Sequence, residues 1–464
     1  MAPPIEDKNK HQPAAPAPTS ARAAAYRKLS EQARKWPDFI LSPMSTAGLD
    51  DRDAALAHAI YDSSMRRWIT LEWVLDRFNE NALRTMEPAL QGVLIGGVAQ
   101  LFLMDRIPVH SAIDESVEFA KTTIRPGAGG LVNAVLRKVA GIVGDREFAE
   151  PPPADAPSPR NLLPLSDGRW LVLKDVLLPE EELPRMGVAT SHPAWLIKRW
   201  ATRRPRSEIR DLAMHSLVAA PTTLNTRYAT LPLPANLVSH EQSGCHTYVG
   251  PHHELSGLLN ERTDLWVQDA ASCRAVEGAK ETCPFRQGVI VDMCAGQGTK
   301  TRHLAAAYPE ATIYATDTDE RRLTRLAEQF YGHERVKIIH PGDLLLTLNG
   351  RADLVLLDVP CTNTGVLARR VEARYRCDDE QLKRLADIQK QIIADSITLL
   401  KSKPRGRILY STCSLEPEEN QAQADWAARW HNLKVLRFEQ RFPKGQPGGD
   451  AAAYSDGAFW AALG

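Results

Sequence analysis

At 464 residues the chain is too long for one ordinary core, so two or three domains are expected. Hydrophobic residues make up 43% and charged residues 25%, with 57 basic against 57 acidic side chains, which fits a globular, soluble, mixed α and β protein. The zero net charge leaves a nucleic-acid partner open, because binding depends on where basic residues lie. Seven cysteines without a recurring short spacing exclude a disulfide framework and a Cys-x-x-Cys zinc pattern, and point to a reduced, cytoplasmic protein. His246, His252 and His253 near Cys245 read as a polar loop, and no metal is expected.

In chain order, residues 1–20 are rich in Pro and Ala with no apolar segment, which predicts a disordered tail and neither a signal peptide nor an anchor. Residues 21–145 carry helical periodicity throughout; Leu90, Leu94, Val98, Leu101 and Phe102 mark one apolar stripe. The most hydrophobic stretch, Pro88 to Met104, contains Gln91 and Gln100 and is flanked by Glu87 and Asp105, so it is expected as a buried helix and not a bilayer span. The proline-rich run Pro151 to Pro159 marks a linker over 146–187.

A small α+β subdomain is expected over 188–278. Its first helix, around Ala194 to Trp200, opens a basic cluster of Lys198, Arg199, Arg203, Arg204, Arg206 and Arg210. Over 279–464 strands and helices alternate, with strands at Gly288–Asp292, Thr312–Thr316, Asp353–Asp358 and Arg407–Tyr410. The pattern predicts a doubly wound, Rossmann-like α/β domain behind an all-α N-terminal domain.

The first of those strands runs into Cys294-Ala295-Gly296-Gln297-Gly298-Thr299-Lys300 and then a helix, a junction at which backbone approaches a ligand closely and unpaired N–H groups face an anion. Asp317, at the end of the second strand, is spaced to accept both hydroxyls of a ribose. Asp343 follows a third strand and is a candidate for an adenine amino group, with a turn or N-cap role as the alternative. The loop lacks a complete Gly-x-Gly-x-x-Gly and a Walker lysine pattern. A nucleoside without pyrophosphate is therefore the better ligand, which favours S-adenosylmethionine over a dinucleotide.

Asp358-Val-Pro-Cys361 and Ser411-Thr-Cys413-Ser each place a cysteine just beyond a buried strand, where ligands bind in parallel sheets. An isolated cysteine there is usually a small buried hydrophobe. Two thiols at one sheet edge suggest covalent chemistry. Arg369, Arg370, Arg374 and Arg376 form a second basic cluster beside this loop.

Taken together these segments resemble the RsmB (Fmu/Sun) branch of the RNA cytosine-5 methyltransferases, from about residue 21 to the C-terminus. Asp358-Val-Pro-Cys-Thr-Asn-Thr-Gly-Val-Leu367 is similar to that family's Asp-Ala-Pro-Cys-Ser-Gly-Thr-Gly-Val-Leu loop, and Tyr410-Ser-Thr-Cys-Ser-Leu-Glu-Pro-Glu-Glu-Asn420 nearly matches its second cysteine motif. Leu103-Met-Asp-Arg-Ile-Pro108 and Val132-Asn-Ala-Val-Leu-Arg137 resemble its NusB-like RNA-binding domain; Val267 to Ser272 and Asp456 to Trp460 also look like family segments. The chain departs from the family's Cys-Ala-Ala-Pro-Gly-Gly-Lys cofactor loop, has Asn363 where a glycine is usual, and has Val371 where a proline is common.

The resemblance implies methyl transfer from S-adenosylmethionine to carbon 5 of a cytosine in RNA, with small-subunit ribosomal RNA the leading target and transfer RNA its competitor. It assigns the nucleophile to Cys413, proton removal or product release to Cys361, and stabilisation of the attacked base to Asp358. The reverse assignment, with the nucleophile in the Pro-Cys motif as in DNA cytosine-5 methyltransferases, stays open. The expected cofactor set is Cys294 to Lys300 with Asp317, Asp343 and Asp358. Lys300 contacts the cofactor or the active-site loop, or is an exposed first-turn lysine. Cys245, Cys273, Cys283 and Cys377 are read as structural. The helical domain and both basic clusters are expected to grip RNA backbone. An RNA-binding assembly factor with an inactive methyltransferase domain is the alternative of a different class, and cofactor binding would tell the two apart.

Overall fold

The computed structural model describes residues 20–153, 156–402 and 405–464. Apart from Ser20, the tail expected over 1–20 lies outside the described residues, as do Ala154 and Asp155 of the proline-rich run. The chain divides into two compact units. One comprises the described residues up to Phe148 with Leu171–Leu178, the other Ala149–Trp170 with Pro179–Gly464.

The first unit is built from helices Ala21–Ala33, Asp51–Arg66, Trp68–Asp76, Pro88–Leu103, Val109–Phe119 and Ala128–Val143. Short polar side chains start two of them: Ser20 Oγ accepts from Ala23 N at 3.2 Å and Asp50 Oδ1 from Asp53 N at 2.8 Å. Pro88 begins Pro88–Leu103, where its missing N–H costs nothing. That helix is buried almost all round and packs on Ala21–Ala33. A side chain on Gly96 would meet the Tyr26 ring at 2.6 Å, so glycine is what lets the two helices close. The glutamines that argued against a bilayer span satisfy buried groups: Gln100 Nε2 donates to Tyr26 Oη at 2.7 Å, and Gln91 Nε2 to the Met86 carbonyl at 2.7 Å. Among the described residues no helix is long and apolar enough to cross a membrane.

In the second unit, helices Glu182–Thr190, Ala194–Ala201 and Arg206–His215 share a core of Met186, Leu196, Trp200 and Ile209 that also takes Leu367 and Leu415 from the cysteine loops. A four-stranded antiparallel sheet follows, in the order Leu237–Ser239, Cys245–Tyr248, Thr223–Asn225, Trp266–Val267. The largest element is a seven-stranded sheet in the order Val336–Ile338, Thr312–Ala315, Val289–Asp292, Leu354–Asp358, Arg407–Thr412, Ala458–Leu463, Val435–Arg441.

The first five of these strands are parallel; the last two, which the alternation of strands and helices did not reveal, add antiparallel at one edge. Leu354 and Leu356 point into one apolar layer with Leu304 and Leu326, while Val355 and Leu357 point into the other with Ile393 and Ala424. Burial on both faces explains the unbroken apolar runs in the sequence. The strand order reverses at Val289–Asp292, so the crevice beyond its carboxyl end is where this fold opens to a ligand.

Candidate active site

The parallel register pairs Asp358 with Ser411, and each strand is followed within three residues by its cysteine. Cys361 Sγ and Cys413 Sγ consequently stand 3.2 Å apart. The turns beneath them are tied by hydrogen bonds from Gly365 N to the Cys413 carbonyl at 2.9 Å and from Gly457 N to the Gly365 carbonyl at 2.7 Å. A further support is Glu419, buried under the first cysteine loop, where it accepts from Thr362 N at 2.9 Å and Gln389 Nε2 at 3.1 Å. Burial raises the Glu419 carboxyl above its ordinary value, against the pull of the surrounding donors.

The two thiols differ. Cys361 is 8% exposed, and its hydrogen bond with Cys413, then burial and the nearby Glu419, push its thiol well above the ordinary range. Cys413 is less enclosed, and its thiol donates to Asn363 Oδ1 at 3.1 Å. The sequence marked Asn363 only as a departure from glycine. Its backbone is left-handed, φ +62°, which asparagine tolerates better than most residues, so a glycine position carries a carboxamide aimed at the second cysteine.

Asp358 lies beside the pair. Its Oδ2 takes Lys300 Nζ at 2.8 Å and its Oδ1 takes Ser411 Oγ at 2.7 Å. The Lys300 side chain is 16% exposed, so it is not an open first-turn lysine. Burial alone would lower its ammonium, but Asp358, and with it the neighbouring Cys413, raise it above its ordinary value. Ser411 was not singled out in the sequence; its place opposite Asp358 in the register is the signal that finds it.

The cofactor loop folds over the end of Val289–Asp292. Gly296 and Gly298 have φ of +58° and +76°. No other group lies closer than 4.0 Å to the position of a Gly296 Cβ, whereas one on Gly298 would strike the Phe330 ring at 2.6 Å. The first glycine therefore leaves space for a ligand, and the second is required by packing. Asp317 receives Gly296 N on Oδ2 and Asp319 N on Oδ1, both at 2.9 Å, which fixes its carboxylate at the loop with lone pairs to spare. Asp343 is exposed and its side chain caps nothing, although it sits at the N-cap of Leu344–Leu348. Cys294 is half-buried, and burial, then Asp292, push its thiol far up, which leaves it a poor nucleophile. Glycine space, a fixed acid at ribose distance along the chain and the start of Thr299–Ala307 suit a carboxylate-bearing nucleoside such as S-adenosylmethionine.

The basic clusters are mostly used within the fold, contrary to the expectation that both grip RNA. Arg199 is held by Asp379 at 3.0 Å and Glu418 at 2.7 Å and also binds Glu416; Arg203 pairs with Glu418 at 2.8 Å and Arg206 with Glu182. Arg369 bridges Asp456 at 2.7 Å and Asp269 at 3.2 Å. Arg374 is fully buried, donating to the carbonyls of Thr190, Ser216 and Leu367. Lys198 and Arg370 stay exposed. Cys245 and Cys273 are buried together, 3.7 Å apart. Among the described residues no group of three His, Cys, Asp or Glu side chains is placed to hold a metal ion.

Comparison with known proteins bears on the whole arrangement. The profile of 16S rRNA methyltransferase RsmB/F matches residues 283–455, and that of the NusB family matches residues 20–141. Ribosomal RNA small subunit methyltransferase B of Erwinia tasmaniensis is 27% identical over 86% of this chain and 87% of its own length. The protein of the same name from Salmonella arizonae is 27% identical over 96% of this chain and 97% of its own. The crystal structure of PH0851 shares the fold, with a TM-score of 0.67 and 20% identity over 95% of this chain and 98% of that one. The chain therefore carries, behind a NusB-family helical domain over residues 20–141, an S-adenosylmethionine-dependent methyltransferase domain over residues 283–455 that matches the RsmB/F model.

Proposed function

We propose that the protein methylates carbon 5 of a cytosine in RNA through a covalent bond from Cys413 to carbon 6, working in the cytoplasm. The observation that carries this reading is the thiol pair at 3.2 Å beside Asp358 and Lys300, which neither binding nor simple alkylation requires. Small-subunit ribosomal RNA is the favoured substrate, in line with the names of the curated relatives.

The residues that would hold S-adenosylmethionine are the loop Cys294 to Lys300, with Asp317 at the ribose, Asp343 at the adenine and Asp358 beside the methyl group. When bound, the cofactor supplies an electrophilic methyl group. Carbon 5 of cytosine is a poor nucleophile until electron density is pushed onto it, and the Cys413 thiolate does this by bonding to carbon 6. Cys361, more buried and held protonated, is the poorer candidate for attack. Lys300, paired with Asp358, is placed to supply a proton through Asp358 to the ring nitrogen beside the amino group. Once carbon 5 carries the methyl group, the Cys361 sulfur takes the carbon-5 proton as it hands its own to the departing Cys413 sulfur; the electrons of the carbon–hydrogen bond restore the ring double bond and those of the carbon 6–sulfur bond leave on Cys413. Cys361 stands where it can relay a proton to or from the departing sulfur. The base must be extruded to reach this site, because carbon 6 lies within the stack.

The test is to incubate unmodified ribosomal RNA and S-adenosylmethionine with the wild type, Cys361→Ala and Cys413→Ala. Expected are 5-methylcytosine from the wild type, a denaturant-resistant protein–RNA adduct in Cys361→Ala, and neither product in Cys413→Ala. Adduct formation by Cys413→Ala would reverse the two roles. RNA retention without cofactor binding by the wild type would favour an assembly factor instead.

A further inference from the structure

Asn363 closes a ring of hydrogen bonds around the two cysteines. Its Nδ2 donates to the Cys361 carbonyl at 2.8 Å, and since that carbonyl only accepts, the amide orientation is settled and Oδ1 faces Cys413. The Cys413 thiol donates to Oδ1 at 3.1 Å, which leaves the Cys361 thiol as the donor in the contact between sulfurs at 3.2 Å. Residue 363 can do this because its φ of +62° turns the side chain back over the loop. The charged and titratable groups around Cys413 are Cys361 on its own loop, Lys300 from the helix Thr299–Ala307, and Asp358 paired with Lys300.

We propose that Asn363 is a positioning residue for the nucleophile: its carboxamide holds the Cys413 thiol in one direction against the Pro-Cys loop and restrains it until a base enters. The inference rests on the reading of Cys413 as nucleophile. It deepens that reading by assigning a role to a side chain that a glycine at this position could not supply. The contact commits the thiol hydrogen to Oδ1 and must be broken before the sulfur can attack, so it both aligns the sulfur and restrains it.

The experiment compares wild type, Asn363→Gly and Asn363→Asp in the full chain by two readouts. The first is the rate at which iodoacetamide alkylates Cys413, followed by peptide mass spectrometry across pH without RNA. The second is steady-state methylation. Asn363→Gly keeps the left-handed backbone and loses the acceptor. Its Cys413 should alkylate faster, by about two- to tenfold, which is the worth of one neutral hydrogen bond. Its kcat should fall by a similar factor while KM for RNA holds. Asn363→Asp keeps an acceptor but adds a negative charge, so its pH–rate profile should move to higher pH than that of the wild type. Equal alkylation of wild type and Asn363→Gly at every pH would overturn the proposal even if methylation proceeds. Loss of all methylation in the wild type would instead remove the nucleophile reading, while the alkylation order would still report whether the contact exists.

Discussion

Lys300 Nζ sits 2.8 Å from Asp358 Oδ2, joining the first turn of the cofactor helix to the end of the strand that leads into the Pro-Cys loop. The pair links the cradle for the methyl donor to the site of attack. Asp358→Asn removes the partner charge and is expected to lower methyl transfer by about 10²- to 10³-fold, as loss of one transition-state contact does. Lys300→Met should cost a similar factor, and the double variant little more than either, because the two act as a unit. Single-turnover transfer of a labelled methyl group checks this. Melting temperatures should fall in each single variant, since Lys300 is largely buried and loses its partner charge, or leaves Asp358 without one.

Asp292 ends the first parallel strand fully buried, accepting from Thr301 Oγ1 at 2.7 Å. Burial, and secondarily the Asp358 charge, raise its carboxyl to about 7, from an ordinary 3.8. Between those values the folded chain binds a proton that the unfolded chain has lost, so this contribution is full at low pH and disappears as pH rises through about 7. Asp292→Asn has no such proton and keeps an acceptor for Thr301. Thermal melts should show the wild type losing stability relative to Asp292→Asn from about pH 4 to about pH 7. A constant difference would contradict the assignment.

A Cβ on Gly365 would lie 2.7 Å from the Gly457 carbonyl and 2.8 Å from the Cys413 carbonyl. Backbone cannot yield as a side chain does, so Gly365→Ala should force the two cysteine loops apart. The expected cost is about 1–3 kcal/mol in chemical denaturation, with a larger loss of activity than of stability. Methylation at the wild-type rate by a folded Gly365→Ala would show that the spacing of the loops is not critical.

Arg369 is spent on Asp456 and Asp269, so it is not free to neutralise phosphate. Arg369→Gln is expected to destabilise the fold by leaving those buried carboxylates without their cation. The slope of log binding constant against log salt for RNA should stay at the wild-type value, where each lost phosphate contact would reduce it by about 0.7–0.9. A reduced slope would return this arginine to the RNA-facing set.

Much of this protein is determined by neighbours in sequence. Consecutive apolar residues set the parallel strands, the glycines after Asp292 set the cofactor turn, and the helix carrying Gln91 and Gln100 was legible as buried. The two cysteine motifs could be placed at one sheet edge because each follows its own strand directly. What tertiary structure alone decided is which distant groups meet. Lys300 and Asp358 are 58 residues apart, and Arg369 reaches both Asp269 and Asp456. A run of arginines has the same local signature whether it faces phosphate or partners within the fold; only packing supplies Glu416, Glu418, Asp379 and the carbonyls that occupy these. Asn363 illustrates the same limit: a substitution at a glycine position announces a turn, but its contact with Cys413 depends on the register of two strands, which the spacing of the motifs does not encode.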